Sequence, residues 1–245
     1  MTRTLTDFNH ELQQQALLAA DEEGAERPAH VAFTEQILGV LADAGEVDDA
    51  EVTNYQARGA RVSAYELSED GGTLHLFLTD YRGDPDVQSL TKADLEASYR
   101  RLAAFLDQAA DGLWKRLEES SAAWDAAQRI DYAWPDVAEV RFTVLTNAAL
   151  RTDVPAPSHV LGRPAHFAVW DLDRVHKLAS SGRGQEPIHI DVETLFGSPI
   201  PCIGPHGDPG AYDAYLMVLP GDFLADIYDT FGPRLLERNV RSFLQ

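Results

Sequence analysis

Cysteine is almost absent: Cys202 is the single one in 245 residues, so neither an internal disulfide nor a multi-cysteine zinc site is available. Long apolar runs are missing too. None approaches the ~20 residues that a membrane-spanning helix needs. The first residues, with Asp7 and Glu11 among polar neighbours, lack the apolar stretch of a signal peptide. Positive charge is scarce, with 20 Lys and Arg against 40 Asp and Glu, a formal charge of −20 and a pI near 4.6. Such a surface repels phosphates and excludes nonspecific nucleic-acid binding by the whole molecule, though not by a local basic patch. No Walker loop, dinucleotide fingerprint, Gly-x-Ser-x-Gly elbow or His-Glu-x-x-His helix occurs. His159, His166, His176, His189 and His206 share no metal-ligand spacing, and 180–184 reads as a turn. No metal, cofactor or membrane partner is expected. What is present is 44% hydrophobic residues, enough for a real core. The expectation is a soluble, cytoplasmic, globular protein.

Periodicity supplies the elements. Leu5, Phe8, Leu12 and Ala16 mark a first amphipathic helix, and Phe33, Ile37, Val40, Leu41 and Ala44 a second over 29–44, ended by Gly45. The acidic run 46–51 reads as a solvated connection. The segments 60–67 and 73–81 flank Ser68-Glu69-Asp70-Gly71-Gly72 and predict an antiparallel hairpin. In its second strand Leu74, Leu76 and Leu78 face inward, with Thr73, His75, Phe77 and Thr79 opposite. A long helix over 92–108 carries the stripe Leu95, Tyr99, Leu102, Leu106 behind a Thr91/Asp94 capping box. Two short helical pieces hold Trp114 and Trp124. Strands return at 139–146, 166–170, 186–192 and 212–219, with a helix capped by Asp171 before the third; Pro155, Pro157 and Pro164 read as loops. The fold class is therefore α/β (α+β), a central mixed sheet flanked by helices. Domain limits fall at 1–28, an N-terminal helical extension; 29–180, the core; and 181–245, further strands and helices.

The last helix, from Pro233, places Leu236, Val240, Phe243 and Leu244 on one face and Arg234, Arg238 and Arg241 on another. With Asn239, these arginines are candidates for binding an anion, either a phosphate or a partner's carboxylate. The alternative is internal pairing with Asp222, Asp226 and Asp229. Tyr228 to Phe243, with its Leu-Leu-Glu-Arg-Asn-Val-Arg-Ser-Phe core, resembles the AIPR family of abortive-infection phage-resistance proteins, as does the Trp170-Asp171 pair entering a helix. The resemblance implies a phage-defence role, and a chain that is either an N-terminal portion leading into the AIPR domain proper or a naturally shortened member.

The order helix, hairpin, long helix and strand over 31–170 also resembles the restriction-endonuclease-like core of PD-(D/E)XK nucleases. In them a second-strand acid and a third-strand acid converge on Mg²⁺, and a Lys two positions on serves the attacking water. Glu35 matches the helix acid. Ser63, Leu78 and Asp80 stand where an acid, an acid and a Lys belong. The resemblance thus implies a catalytically degenerate binding or sensing module. Two alternatives accompany it. One is an active nuclease using Mg²⁺ at Glu35, Glu66 and Asp80. The other is an assembly subunit or oligomer docking through Phe243, Leu244 and the Trp residues. Simpler roles stand beside these: Glu35 as a half-exposed helix residue, and Asp80-Tyr81 as a strand end.

Overall fold

A computed structural model describes residues 4–21, 27–57, 59–180, 190, 197, 200, 202–203 and 216–231. The chain divides into two units, 1–185 and 186–245.

In the first unit, helix α1 (Leu5–Ala20) starts at a capping box, in which Thr4 Oγ1 accepts the Asp7 N–H and the Asp7 carboxylate accepts the Thr4 N–H. Helix α2 (Ala29–Asp43) ends where Gly45 takes φ +70°, a left-handed position that glycine adopts without strain. Three strands follow as an antiparallel meander: β1 (Glu51–Ala57), β2 (Ala60–Leu67) and β3 (Thr73–Asp80). The β2–β3 turn is held by Asp70, which accepts from the Gly72 N–H and the Ser68 hydroxyl. After the short strand β4 (Ser89–Leu90), helix α3 (Lys92–Ala110) begins at the expected Thr91/Asp94 box. A 3₁₀ turn (Leu113–Arg116) and helix α4 (Ala122–Ala133) lead to β5 (Glu139–Thr146), which lies parallel to β3. Then come β6 (Ala149–Leu150), β7 (Ser158–Val160), β8 (Arg163–Trp170) and helix α5 (Leu172–Ser180). The six-stranded sheet has the order β1-β2-β3-β5-β8-β7, and β4 pairs β6 separately.

A sheet with parallel strands at its centre must be covered on both faces. On one face Leu74, Leu76, Leu78, Phe142 and Val144 pack with Leu95, Leu102, Phe105 and Leu106 of α3 and Ile130 of α4. On the other, Ala64, Phe77, Leu145 and Trp170 meet Phe8 and Leu12 of α1, Phe33, Ile37 and Leu41 of α2, and Val175 and Leu178 of α5. Burial of each large side chain contributes ~1.5–3 kcal/mol.

The mixed α/β class, the hairpin and the long helix agree with the expectations from sequence. Two details differ. Glu51 does not belong to a connection but opens β1, an edge strand whose polar residues Asn54 and Gln56 mask its signal. Pro164 lies inside β8, opposite His159 of β7 and one residue before β8 joins β5, so its missing N–H interrupts no pairing with β5. Helix α2 covers the β3 face that carries Phe77 and Thr79.

In the second unit β9 (Cys202–Ile203) pairs antiparallel with β10 (Leu216–Met217), and helix α6 (Gly221–Phe231) buries Phe223 and Ile227. The strand expected at 186–192, apart from Ile190, lies outside the described residues. So does the helix from Pro233, with Arg234, Arg238, Asn239 and Arg241.

Candidate functional site

The backbone pairing of β2 with β3 runs from Leu67↔Leu74 to Ala64↔Phe77 and goes no further. Opposite Ser63, β1 carries an extra residue between Val52 and Tyr55, with Asn54 at φ +41°. Such a bulge disturbs the β1–β2 ladder locally. Side chains then replace the β2–β3 ladder. Buried Ser63 Oγ accepts the Thr79 N–H at 2.9 Å, and Arg61 Nη2 donates to the Thr79 carbonyl at 2.9 Å. Thr34 of α2 donates its hydroxyl to the His30 carbonyl at 2.7 Å. Its only proton being committed, Thr34 must accept from Thr79 Oγ1, 2.7 Å away. The place that the nuclease resemblance reserves for an acid is thus a chain of neutral hydroxyls.

Asp80 ends β3 beside this chain. Arg82 grips its Oδ2 through Nε at 3.1 Å and Nη2 at 2.9 Å, and also reaches Asp94 at 3.2 Å and the Ser89 carbonyl at 2.9 Å. Burial opposes the charge on Arg82, but the Asp80 and Asp94 carboxylates outweigh it and its pKa rises. Asn147 accepts from the Arg82 N–H and donates to the Arg82 carbonyl and to Asn9. The strand end is thereby locked to α1, α3 and β5.

Arg61 is the exception in this well-paired region. Its Nε is buried with no acceptor. Burial lowers its pKa, repulsion from Arg101 on α3 lowers it further, and Asp80 opposes both.

The three candidate catalytic carboxylates are not brought together. Glu35 is exposed on α2 and is gripped by Arg27 Nη1 at 2.6 and 2.8 Å. Glu66 faces His75, five residues before Asp80 on β3, which at about 3.3 Å per residue leaves roughly 17 Å between them. Glu66 accepts the Asp48 and Asp49 N–H groups at 2.7 and 3.0 Å and faces His75 Nδ1 at 3.5 Å. Burial disfavours its charge, yet the hydrogen bonds from His75 and the two amides win and hold it below the usual carboxylate range. The carboxylate favours a proton on Nδ1, so His75 Nε2 accepts from Thr143 Oγ1 at 2.8 Å. Burial depresses the His75 pKa against the pull of Glu66.

Mg²⁺ does not fit at the end of β3. The one nearby strand-end carboxylate is occupied by Arg82, Ser63 is neutral, Leu78 is buried in the apolar core, and Arg61 would repel the cation. Among the described residues no group of three or more His, Cys, Asp or Glu is arranged to hold a metal ion, and no helix is long and apolar enough to cross a membrane.

Sequence reasoning placed Asp171 correctly: its Oδ1 accepts the Arg174 N–H at 3.0 Å as the α5 cap, and Oδ2 takes the Leu150 N–H at 2.9 Å. It did not find the Thr34–Thr79–Ser63 chain or the Glu66–His75–Thr143 line. The available signal was polar residues recurring along otherwise apolar strands.

Residues 33–177, more than half of the chain, match the family model described as abortive infection phage resistance protein N-terminal domain. No curated protein and no solved structure matches.

Proposed function

The chain belongs to the abortive infection phage resistance family through its N-terminal domain, and from that role in phage resistance we propose that residues 29–180 are a nuclease-like core that binds or senses without cutting. The order α2, antiparallel β1-β2-β3, α3, parallel β5 supports the nuclease-like reading. The observation that carries the loss of cleavage is at the strand end: Asp80 is neutralised by Arg82, and the flanking strand offers Ser63 in place of an acid. Two carboxylates converging on a hard cation are what such hydrolysis requires. Only one is there.

The test is incubation of the purified chain with DNA and RNA in Mg²⁺ or Mn²⁺, with no cleavage expected. Cleavage that disappears in Glu35→Ala or Asp80→Ala would sink the reading and make this an active nuclease. We place the protein in the cytoplasm, where infecting nucleic acid is met. We assign Arg234, Arg238, Asn239 and Arg241 to an anionic partner, protein or nucleic acid. Loss of partner binding without loss of thermal stability in Arg238→Ala/Arg241→Ala is the expected outcome there; a large melting shift with unchanged binding refutes it.

A further inference from the structure

Three aromatic rings meet where the 3₁₀ turn lies against α4. Trp114 packs on the core beneath it. Trp124 stands 5.8 Å from it and perpendicular, and Tyr132 stands 5.9 Å from it at 65°. Trp124 and Tyr132 are eight residues apart on α4, about 12 Å along the helix, so Trp114 bridges them into one row. Asp131 Oδ2 accepts the Trp114 indole N–H at 2.7 Å and fixes the central ring. Tyr132 is 65% exposed, and both Trp rings are half-buried. Lys115 shows what such a row receives. Among the described residues it has no carboxylate within 4.0 Å, in a chain with 40 Asp and Glu. Its Nζ stands over the Trp114 ring instead, 5.4 Å from the centroid. Gly112, at φ +74°, makes the room, since a Cβ there would meet Lys115 Nζ at 3.0 Å.

We propose that the Trp114–Trp124–Tyr132 row is a docking surface for a lysine or arginine side chain of a partner protein. The proposal stands independently of whether the core cuts nucleic acid. Lys115 is the internal stand-in: a ring face that holds its ammonium holds another once this exposed side chain swings away. Aromatic faces attract cations through the ring quadrupole, Trp most of all, and the attraction grows as water is excluded. The neighbouring acids select the same occupant. Asp131 spends Oδ2 on Trp114 and has a second oxygen for an incoming N–H. Glu118 and Glu119 are exposed between the 3₁₀ turn and α4. A phosphate-bearing strand is repelled by these carboxylates, whereas a basic segment is drawn to them and then held by the rings. Aromatic anchors beside charges of one sign are the usual make-up of such a contact.

The test is anisotropy of a fluorescein-labelled hexalysine peptide with the whole chain at low salt, with labelled oligothymidine as a second probe. Wild type should bind the peptide. Tyr132→Ala, at an exposed ring, should weaken it about two- to fivefold. Asp131→Asn keeps an oxygen for the Trp114 N–H but drops the charge, and should weaken it too. Lys115→Ala vacates the Trp114 face and should tighten binding about two- to fivefold. Lys92→Ala makes the same change in net charge at the other end of α3 and should bind as wild type.

Unchanged peptide binding in Tyr132→Ala and Asp131→Asn, with circular dichroism confirming the fold, overturns the surface, because binding is then diffuse attraction to an acidic chain. Equal tightening in Lys115→Ala and Lys92→Ala overturns it for the same reason. Binding of oligothymidine in preference to the peptide, weakened in both Tyr132→Ala and Lys115→Ala, overturns it in favour of a base-stacking platform. So does a wild type that binds neither probe.

Discussion

Replacing Thr34 or Thr79 by valine tests the hydroxyl chain that ties α2 to β3. Both side chains are buried and valine has nearly their shape, so the changes act on hydrogen bonds with little cavity cost. The direction of the bonds makes the two substitutions unequal. Thr34 gives its proton to the His30 carbonyl, so Thr79 gives its proton to Thr34. Thr79→Val removes that donor and leaves Thr34 with its own donation intact, a loss of about 0.5–1.5 kcal/mol. Thr34→Val strands the Thr79 hydroxyl proton in an apolar layer beside Phe33 and Phe77, at about 1–3 kcal/mol. The double variant removes both partners and should cost less than the sum of the two, because no orphan hydroxyl remains. Urea unfolding followed by tryptophan fluorescence and far-UV circular dichroism measures all four proteins. A milder Thr34→Val than Thr79→Val would refute the assigned direction, and strict additivity would refute the chain itself.

Acidification should destabilise the protein in two steps. The folded pKa of His75 lies below its ordinary value, so its stabilisation is complete above about pH 6.5 and is lost as pH falls through the folded pKa. The folded pKa of Glu66 is also lowered, so its part persists to about pH 4.3 and is lost below that. Urea midpoints between pH 5 and 8 should therefore fall on acidification in wild type and change less in His75→Gln; an equal slope would dismiss His75 as the source. Phe105→Ala, at a fully buried ring between α3 and the sheet, should cost about 3–5 kcal/mol in the same assay. Thr91→Ala removes the α3 cap and should cost about 0.5–2 kcal/mol, with no effect if the capping box is formed only by Asp94. Arg82→Gln should release the 82–89 segment, seen as faster amide exchange at Ser89 and Leu90; unchanged protection would mean Asn147 and Gln13 suffice.

Much of the fold was legible because its elements carry a single dominant period. Leu95, Tyr99, Leu102 and Leu106 can form only one stripe, and Thr91 with Asp94 marks where the helix begins. The alternation Leu74, Leu76, Leu78 fixed the face toward α3. It said nothing of the other face, because a strand buried on both sides shows its second face only through Phe77. Strand β1 was illegible for a different reason: as an edge strand with a bulge at Asn54, it alternates poorly and carries polar residues where a central strand would not. The site was least legible. Which of Glu35, Glu66 and Asp80 share a space is decided by register, and the pairing of Glu66 with His75 sends it to the opposite end of β3 from Asp80.

That separation explains how the sheet can carry polar groups at both ends without losing stability. At one end Glu66 is satisfied by two backbone amides and His75, and Thr143 closes the line. At the other, the β2–β3 ladder ends at Ala64↔Phe77, and Ser63 takes the Thr79 amide while Arg61 takes its carbonyl. A carboxylate at position 63 could accept the same N–H, but its charge would compete with the Thr79 carbonyl for Arg61. The neutral hydroxyl takes the amide and leaves Arg61 to the carbonyl. Each end is thus closed by a group whose charge suits the backbone atoms it meets, a carboxylate over two amides at Glu66 and a guanidinium on a carbonyl at Arg61.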